Sequence, residues 1–118
     1  MTDVAIIGVG LHPFGRFGDK SAFDMAADAV DMALTDAGVT WADVQVAYGG
    51  SWEAAQVDPL TGLFGLDGIP FMNVFNACAT GAATIQQAAN AIVAGTADVA
   101  VAVGMDKHPR GSFKVDPS

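Results

Sequence analysis

The stretch "TGAATIQQAANAIVAG", residues 80–95, constrains the fold more than any other part of the chain. Ala82, Ala83, Ile85, Ala88, Ala89, Ala91, Ile92 and Val93 leave little room for a polar face on the helix they form. A helix that is apolar nearly all round must be buried. One side can meet a sheet made by this chain. The other side needs a second layer, and 118 residues make at most one domain with a modest core. The pattern therefore implies a missing layer, contributed by another chain or by the rest of a longer protein. Composition points the same way, because 52% hydrophobic and only 15% charged residues leave fewer surface charges than a soluble domain usually carries.

The elements around this helix alternate. "VAIIGV", residues 4–9, is a short β-branched run and is expected to form a buried strand. Ser21 and Asp24 have capping-box spacing, and Ala26, Ala29, Val30, Ala33, Leu34 and Ala37 follow at helical intervals. Asp24, Asp28, Asp31 and Thr35 share the opposite face, a solvated stripe, and Gly38 is placed to end the helix. "VQVAY" at 44–48, closed by Gly49 and Gly50, reads as a second strand, "FMNVF" at 71–75 as a third and "VAVAV" at 99–103 as a fourth. A helix between Glu53 and Gly65 is opposed by Pro59 and two glycines. Continuous apolar strands imply cover on both faces, as in parallel sheets. The expected class is α/β, a doubly wound sheet with right-handed crossovers.

Charge and cysteine count exclude some functions. Thirteen acidic residues against five basic ones, a net charge of −8, argue against a surface that tracks nucleic-acid phosphates. Lys107, Arg110 and Lys114 make the tail different in charge from the body, which a solvated loop explains. A single cysteine forms no internal disulfide, and "MTDVAIIGVG" lacks the pattern of a secretory signal, so the expectation is a reducing cytoplasm. No apolar run approaches the ~20 residues that span a bilayer.

Three motifs can be weighed. "GVGLHP", residues 8–13, has Pro13 where a dinucleotide fingerprint needs its third glycine, so Gly8 and Gly10 read as turn glycines. His12, His108 and Cys78 show no metal-ligand spacing. The two histidines read as loop residues near the ends of strands, where α/β folds gather ligands. Cys78 opens the alanine-rich helix, facing unpaired backbone N–H groups and the positive end of the helix dipole, which favour a thiolate. Those N–H groups could also hold an oxyanion. Gly81, one turn in, admits an acyl group or a second backbone. The opposing reading is a buried small hydrophobe, the commoner fate of a free cysteine. Spacing alone leaves the two about even.

The run Asn76-Ala77-Cys78-Ala79-Thr80-Gly81-Ala82-Ala83, between a strand and an alanine-rich helix, resembles the nucleophile segment of the thiolase superfamily. "AGTADVAVAVGMDKHPRGSF", residues 94–113, is similar to the strand and exit loop of its lipid-transfer or sterol-carrier type, and "VAIIGVGLHPFGRFG" with "AADAVDMALTDAGV" to its first strand and helix. The resemblance implies the N-terminal portion of one βαβαβαββ half of an αβαβα sandwich, with residues 1–106 in the domain and 107–118 starting the loop region that leaves it. It also implies Cys78 as catalytic nucleophile and acyl acceptor, its own backbone N–H as an oxyanion donor, a coenzyme A thioester as substrate and no resident cofactor. The implied chemistry is acyl transfer with cleavage or formation of the C–C bond β to the thioester. One lipid-transfer branch resembles retro-aldolases of steroid acyl-CoA side chains with a small OB-fold partner, which need no acyl-cysteine. The ketosynthases of fatty-acid synthesis share the fold, but "CATG" and "GMDKHPRGSF" favour the lipid-transfer thiolases. Homo-oligomers pairing the strand at 71–75 edge to edge are implied as well. The half of the family fold that carries the catalytic histidine and the remaining acid/base groups has no counterpart here, so two roles are expected of the chain: the nucleophile piece of an enzyme, or an incomplete subunit acting in assembly.

Overall fold

A computed structural model describes residues 2–50, 58–65 and 67–108. Among these residues three strands form one all-parallel sheet, with the order β2 (Phe71–Asn73), β1 (Val46–Gly50), β3 (Ala100–Gly104). Helix α1 (Ala22–Ala37) and the short α2 (Asp58–Phe64) cover one face of the sheet, and α3 (Thr80–Val93) covers the other. The α/β class and the cover on both faces follow the sequence. The possible helix between Glu53 and Gly65 is present over Asp58–Phe64; residues 53–57 lie outside the described residues, as does the expected loop from Pro109 onward.

Helix α1 forms where its local signals place it. The Ser21 hydroxyl accepts the Asp24 N–H at 3.0 Å while the Asp24 carboxylate accepts the Ser21 N–H, so two orphan donors of the first turn are satisfied. That bond to the Ser21 backbone holds the Asp24 carboxyl below its usual range. Gly38 ends the helix at φ 71°, a left-handed conformation that costs glycine little. Ala26, Val30 and Leu34 point into a core with Val44, Leu60, Val103 and Met105.

Strand β3 shows why its apolar run is continuous. Val101 and Val103 face α1, while Ala100 and Ala102 face the α3 side, where Val46, Tyr48, Ala88 and Ala91 are buried. The small residues on that side let α3 lie close to the sheet. The side-chain oxygen of Gln45 accepts the N–H groups of Asp98 and Val99, pinning the loop that leads into β3 against the start of β1.

Three sequence expectations are corrected. Residues 4–9 form no strand: they run beside α1, with Ile6 76% and Val9 68% exposed, and share an apolar groove of about 350 Å³ with β3 and α3. Both sides of that groove are strand-like in sequence, but no ladder pairs residues 4–9 with β3. Gly8 and Gly10 are not turn glycines but permit this close approach, since a Cβ would stand 2.2 Å from the Ala33 carbonyl at one and 1.9 Å from the Ala29 carbonyl at the other. Gly49 and Gly50 do not follow β1 but are its last two residues, paired in the ladder with Gly50 opposite Gly104.

The interior-helix expectation can be read on α3 directly. Thr80, Thr84, Ala88 and Ala91 are buried against the sheet. Ile85 and Val93 on the other side are more than half exposed, and Ala82 is exposed too. Ile85 and Ile92 also line the groove shared with residues 4–10.

Candidate functional site

The C-terminal ends of the three parallel strands lie on one edge of the sheet, and Cys78 is on the chain leaving β2 there. After Asn73 the backbone keeps pairing for one more residue, the Val74 N–H donating to the Gly49 carbonyl at 2.9 Å. It then turns sharply. Ala77 has φ 48°, the only positive φ at a non-glycine residue among the described positions, a region that costs an L-residue energy. A one-turn 3-10 helix, Ala77–Ala79, carries Cys78 and feeds into α3. Cys78 therefore sits in the turn just before the α-helix and not within its first turn. It is exposed. The thiol stands beside the start of α3, where the Ala79 and Thr80 N–H groups donate to the Asn76 and Ala77 carbonyls.

Thr80 organises this turn. Its hydroxyl accepts the Asn76 N–H at 2.9 Å and donates to the Ala77 carbonyl at 2.7 Å, and the residue is 4% exposed. The end of β1 presses on the same place, because a Cβ on Gly50 would meet the Val74 carbonyl oxygen at 1.9 Å and the Thr80 methyl at 2.9 Å. Spacing gave no sign of Thr80 or Gly50; the one available signal was a threonine two residues beyond a helix-opening cysteine. The close approach expected at Gly81 depends on Gly104 instead: a Cβ at 104 would fall 3.1 Å from the Gly81 Cα, whereas a Cβ at 81 would meet nothing within 4 Å.

The two histidines come together, but around a different feature. His12 and His108 both line a cavity of about 470 Å³ between the loop 10–18, the start of α1 and residues 104–108, whose lining does not include Cys78. His12 packs edge-on against Phe17 at 4.7 Å, and with the proton on Nδ1 it donates to the Pro13 carbonyl while Nε2 accepts from Lys20. Lys20 pairs with Asp28 at 2.6 Å, a hydrogen bond that raises the Lys20 ammonium above its ordinary range. Asp28 thus belongs to an ion pair and not simply to a solvated stripe. His108 lies 2.9 Å from Asp106. The Lys107 ammonium donates to the carbonyls of Phe17 and Lys20, bolting the exit of β3 to the loop before α1. No group of three or more metal-ligating side chains occurs among the described residues, and none of their helices is long and apolar enough to cross a membrane.

The geometry can be set beside known proteins. Residues 4–112 match the model of the thiolase N-terminal domain. The chain is 35% identical over 114 residues to an acetyl-CoA acetyltransferase of Methanothermobacter thermautotrophicus, covering 91% of this chain and 30% of that protein. It is also 35% identical over 117 residues to sterol carrier protein 2 of Gallus gallus, covering 93% of this chain and 21% of that one. Among solved structures, the Ltp2-ChsH2(DUF35) aldolase superposes with a TM-score of 0.72 at 25% identity, over 97% of this chain and 30% of the other. The chain thus spans less than a third of the length of each of these three proteins. An exposed thiol at the head of a half-covered, alanine-rich helix, on the C-terminal edge of a parallel sheet, is what the match over residues 4–112 brings into one frame: the chain belongs to the thiolase family, through its N-terminal domain.

Proposed function

We propose that the chain supplies the nucleophile of a thiolase-like enzyme that makes or breaks the C–C bond β to a coenzyme A thioester, with Cys78 as acyl acceptor. The observation that carries this reading is the exposed Cys78 in the tight turn between β2 and α3. In the step it performs, the Cys78 sulfur attacks the thioester carbonyl, the coenzyme A thiolate leaves and takes up the proton given up by Cys78, and an acyl-cysteine remains. The Cys78 backbone N–H is the proposed donor to the negative charge that develops on oxygen. Groups that move the α-proton and complete the oxyanion holes belong to the remainder of a family member. The chain alone is therefore proposed to be without turnover, and its exposed α3 face to be where that remainder packs.

A second reading is retro-aldol cleavage of a steroid or other acyl-CoA side chain, with a small OB-fold protein bound alongside. The likeness to the Ltp2-ChsH2(DUF35) aldolase over 97% of the chain favours it. In that case Cys78 persists without accepting an acyl group. For assembly, β2 at the sheet edge with Met72 half exposed is the proposed contact with a second copy. A cytoplasmic, reducing compartment suits a site that depends on a free thiol.

Alkylation by iodoacetamide tests the nucleophile. Cys78 should react faster in the folded chain than in the chain unfolded by urea, after correction for the effect of urea on a free thiol. A folded-state rate equal to or below the unfolded one would point to the assembly role instead. The folded chain should also leave acetyl-CoA and acetoacetyl-CoA without turnover, and product formation at enzymatic rates would refute its incompleteness.

A further inference from the structure

We infer that Thr80 is a positioning residue for Cys78, the clamp that holds the turn 76–80 in the shape that presents the thiol. The inference rests on the nucleophile reading above and adds to it a residue that touches no substrate. Three observations meet here. Ala77 is held at φ 48° although its side chain disfavours that region, so something outside Ala77 must fix it. The Thr80 hydroxyl contacts the chain on both sides of the Ala77 Cα, accepting from the Asn76 N–H and donating to the Ala77 carbonyl. The Thr80 methyl lies beside Gly50, where a Cβ would stand 2.9 Å from it and 1.9 Å from the Val74 carbonyl oxygen, so the side chain also packs against the end of β1.

The two functions of this side chain are chemically separable. Its hydroxyl fixes the turn, and its methyl packs under the sheet edge. Serine keeps the first and loses the second; valine keeps the shape and loses the hydroxyl. A merely structural residue would show its effect in stability for both replacements and leave the thiol alone.

The test uses Thr80→Val and Thr80→Ser in the full chain, with three readouts: thermal melting, amide exchange of Asn76, and the iodoacetamide rate of Cys78 in folded and urea-unfolded protein. Thr80→Val is expected to expose the Asn76 amide to fast exchange and to lower the folded-state alkylation rate several-fold, towards the unfolded value. Thr80→Ser is expected to melt lower than wild type yet to retain both Asn76 protection and the wild-type alkylation rate. Unchanged Asn76 protection in Thr80→Val would overturn the clamp. Altered protection with an unchanged alkylation rate would overturn its positioning role. A wild-type thiol no faster folded than unfolded would instead overturn the nucleophile reading on which the inference stands, and Asn76 exchange would still decide the clamp.

Discussion

Replacing Gly50 by alanine should be among the most damaging single-methyl changes in the chain. The added Cβ would sit 1.9 Å from the Val74 carbonyl oxygen and 2.9 Å from the Thr80 methyl, where ordinary contacts begin near 3.4 Å. The first of these neighbours is backbone, and it belongs to a residue whose N–H is bonded to Gly49 at 2.9 Å. It cannot retreat without opening the ladder between β1 and the chain leaving β2. Overpacking of this kind costs about 1–3 kcal/mol, and a backbone neighbour puts it at the upper end. For a domain of this size that corresponds to a fall in melting temperature of roughly 10–20 °C. Gly62→Ala is the control: a Cβ there meets nothing within 4 Å, the position lies within α2, and alanine should stabilise by about 0.5–1 kcal/mol. Circular dichroism melts of the two variants and wild type make the comparison. If Gly50→Ala melted within two or three degrees of Gly62→Ala, the close approach at the foot of the turn that carries Cys78 would be refuted.

Two further outcomes are expected. Ile85→Lys and Val93→Lys, on the open face of α3, should change stability by no more than about 0.5 kcal/mol and reduce self-association in analytical ultracentrifugation, whereas Ala88→Lys on the buried face should prevent folding. Because the folded Asp24 carboxyl lies below its unfolded value of about 3.9, its contribution is present above that pH and is lost as pH falls through the folded value; melting temperatures from pH 5 downward should show a shallower acid decline in Asp24→Asn than in wild type.

What could be read from the residues was mostly local. Ser21, Asp24 and Gly38 mark α1 because caps satisfy backbone groups within three or four residues, and spacing records that directly. The alternating cover of β3 was legible for the same reason, as adjacent residues face opposite layers. Strand pairing is not local. Residues 4–9 carry the composition of a strand, but composition cannot supply the neighbour, and here a groove separates them from β3. Gly49 and Gly50 looked like terminators because glycine weakens strands; at Gly50 the reason is the approach of Val74 on the chain leaving β2, a contact 24 residues distant in sequence. Cys78 was visible as a residue opening the helix, one turn later than the structure places it relative to α3, whereas the left-handed Ala77 and the double hydrogen bond of Thr80 depend on dihedral angles that residue types do not encode.

Peptide-mapped acylation tests the central claim most directly. The folded chain would be incubated with acetyl-CoA, quenched in acid, digested and searched for a thioester, with the urea-unfolded chain and Cys78→Ser as references. The account predicts an acetyl group on Cys78, formed faster in the folded chain than in the unfolded one and absent from the serine variant. Equal rates folded and unfolded, or acetylation that avoids Cys78, would contradict it.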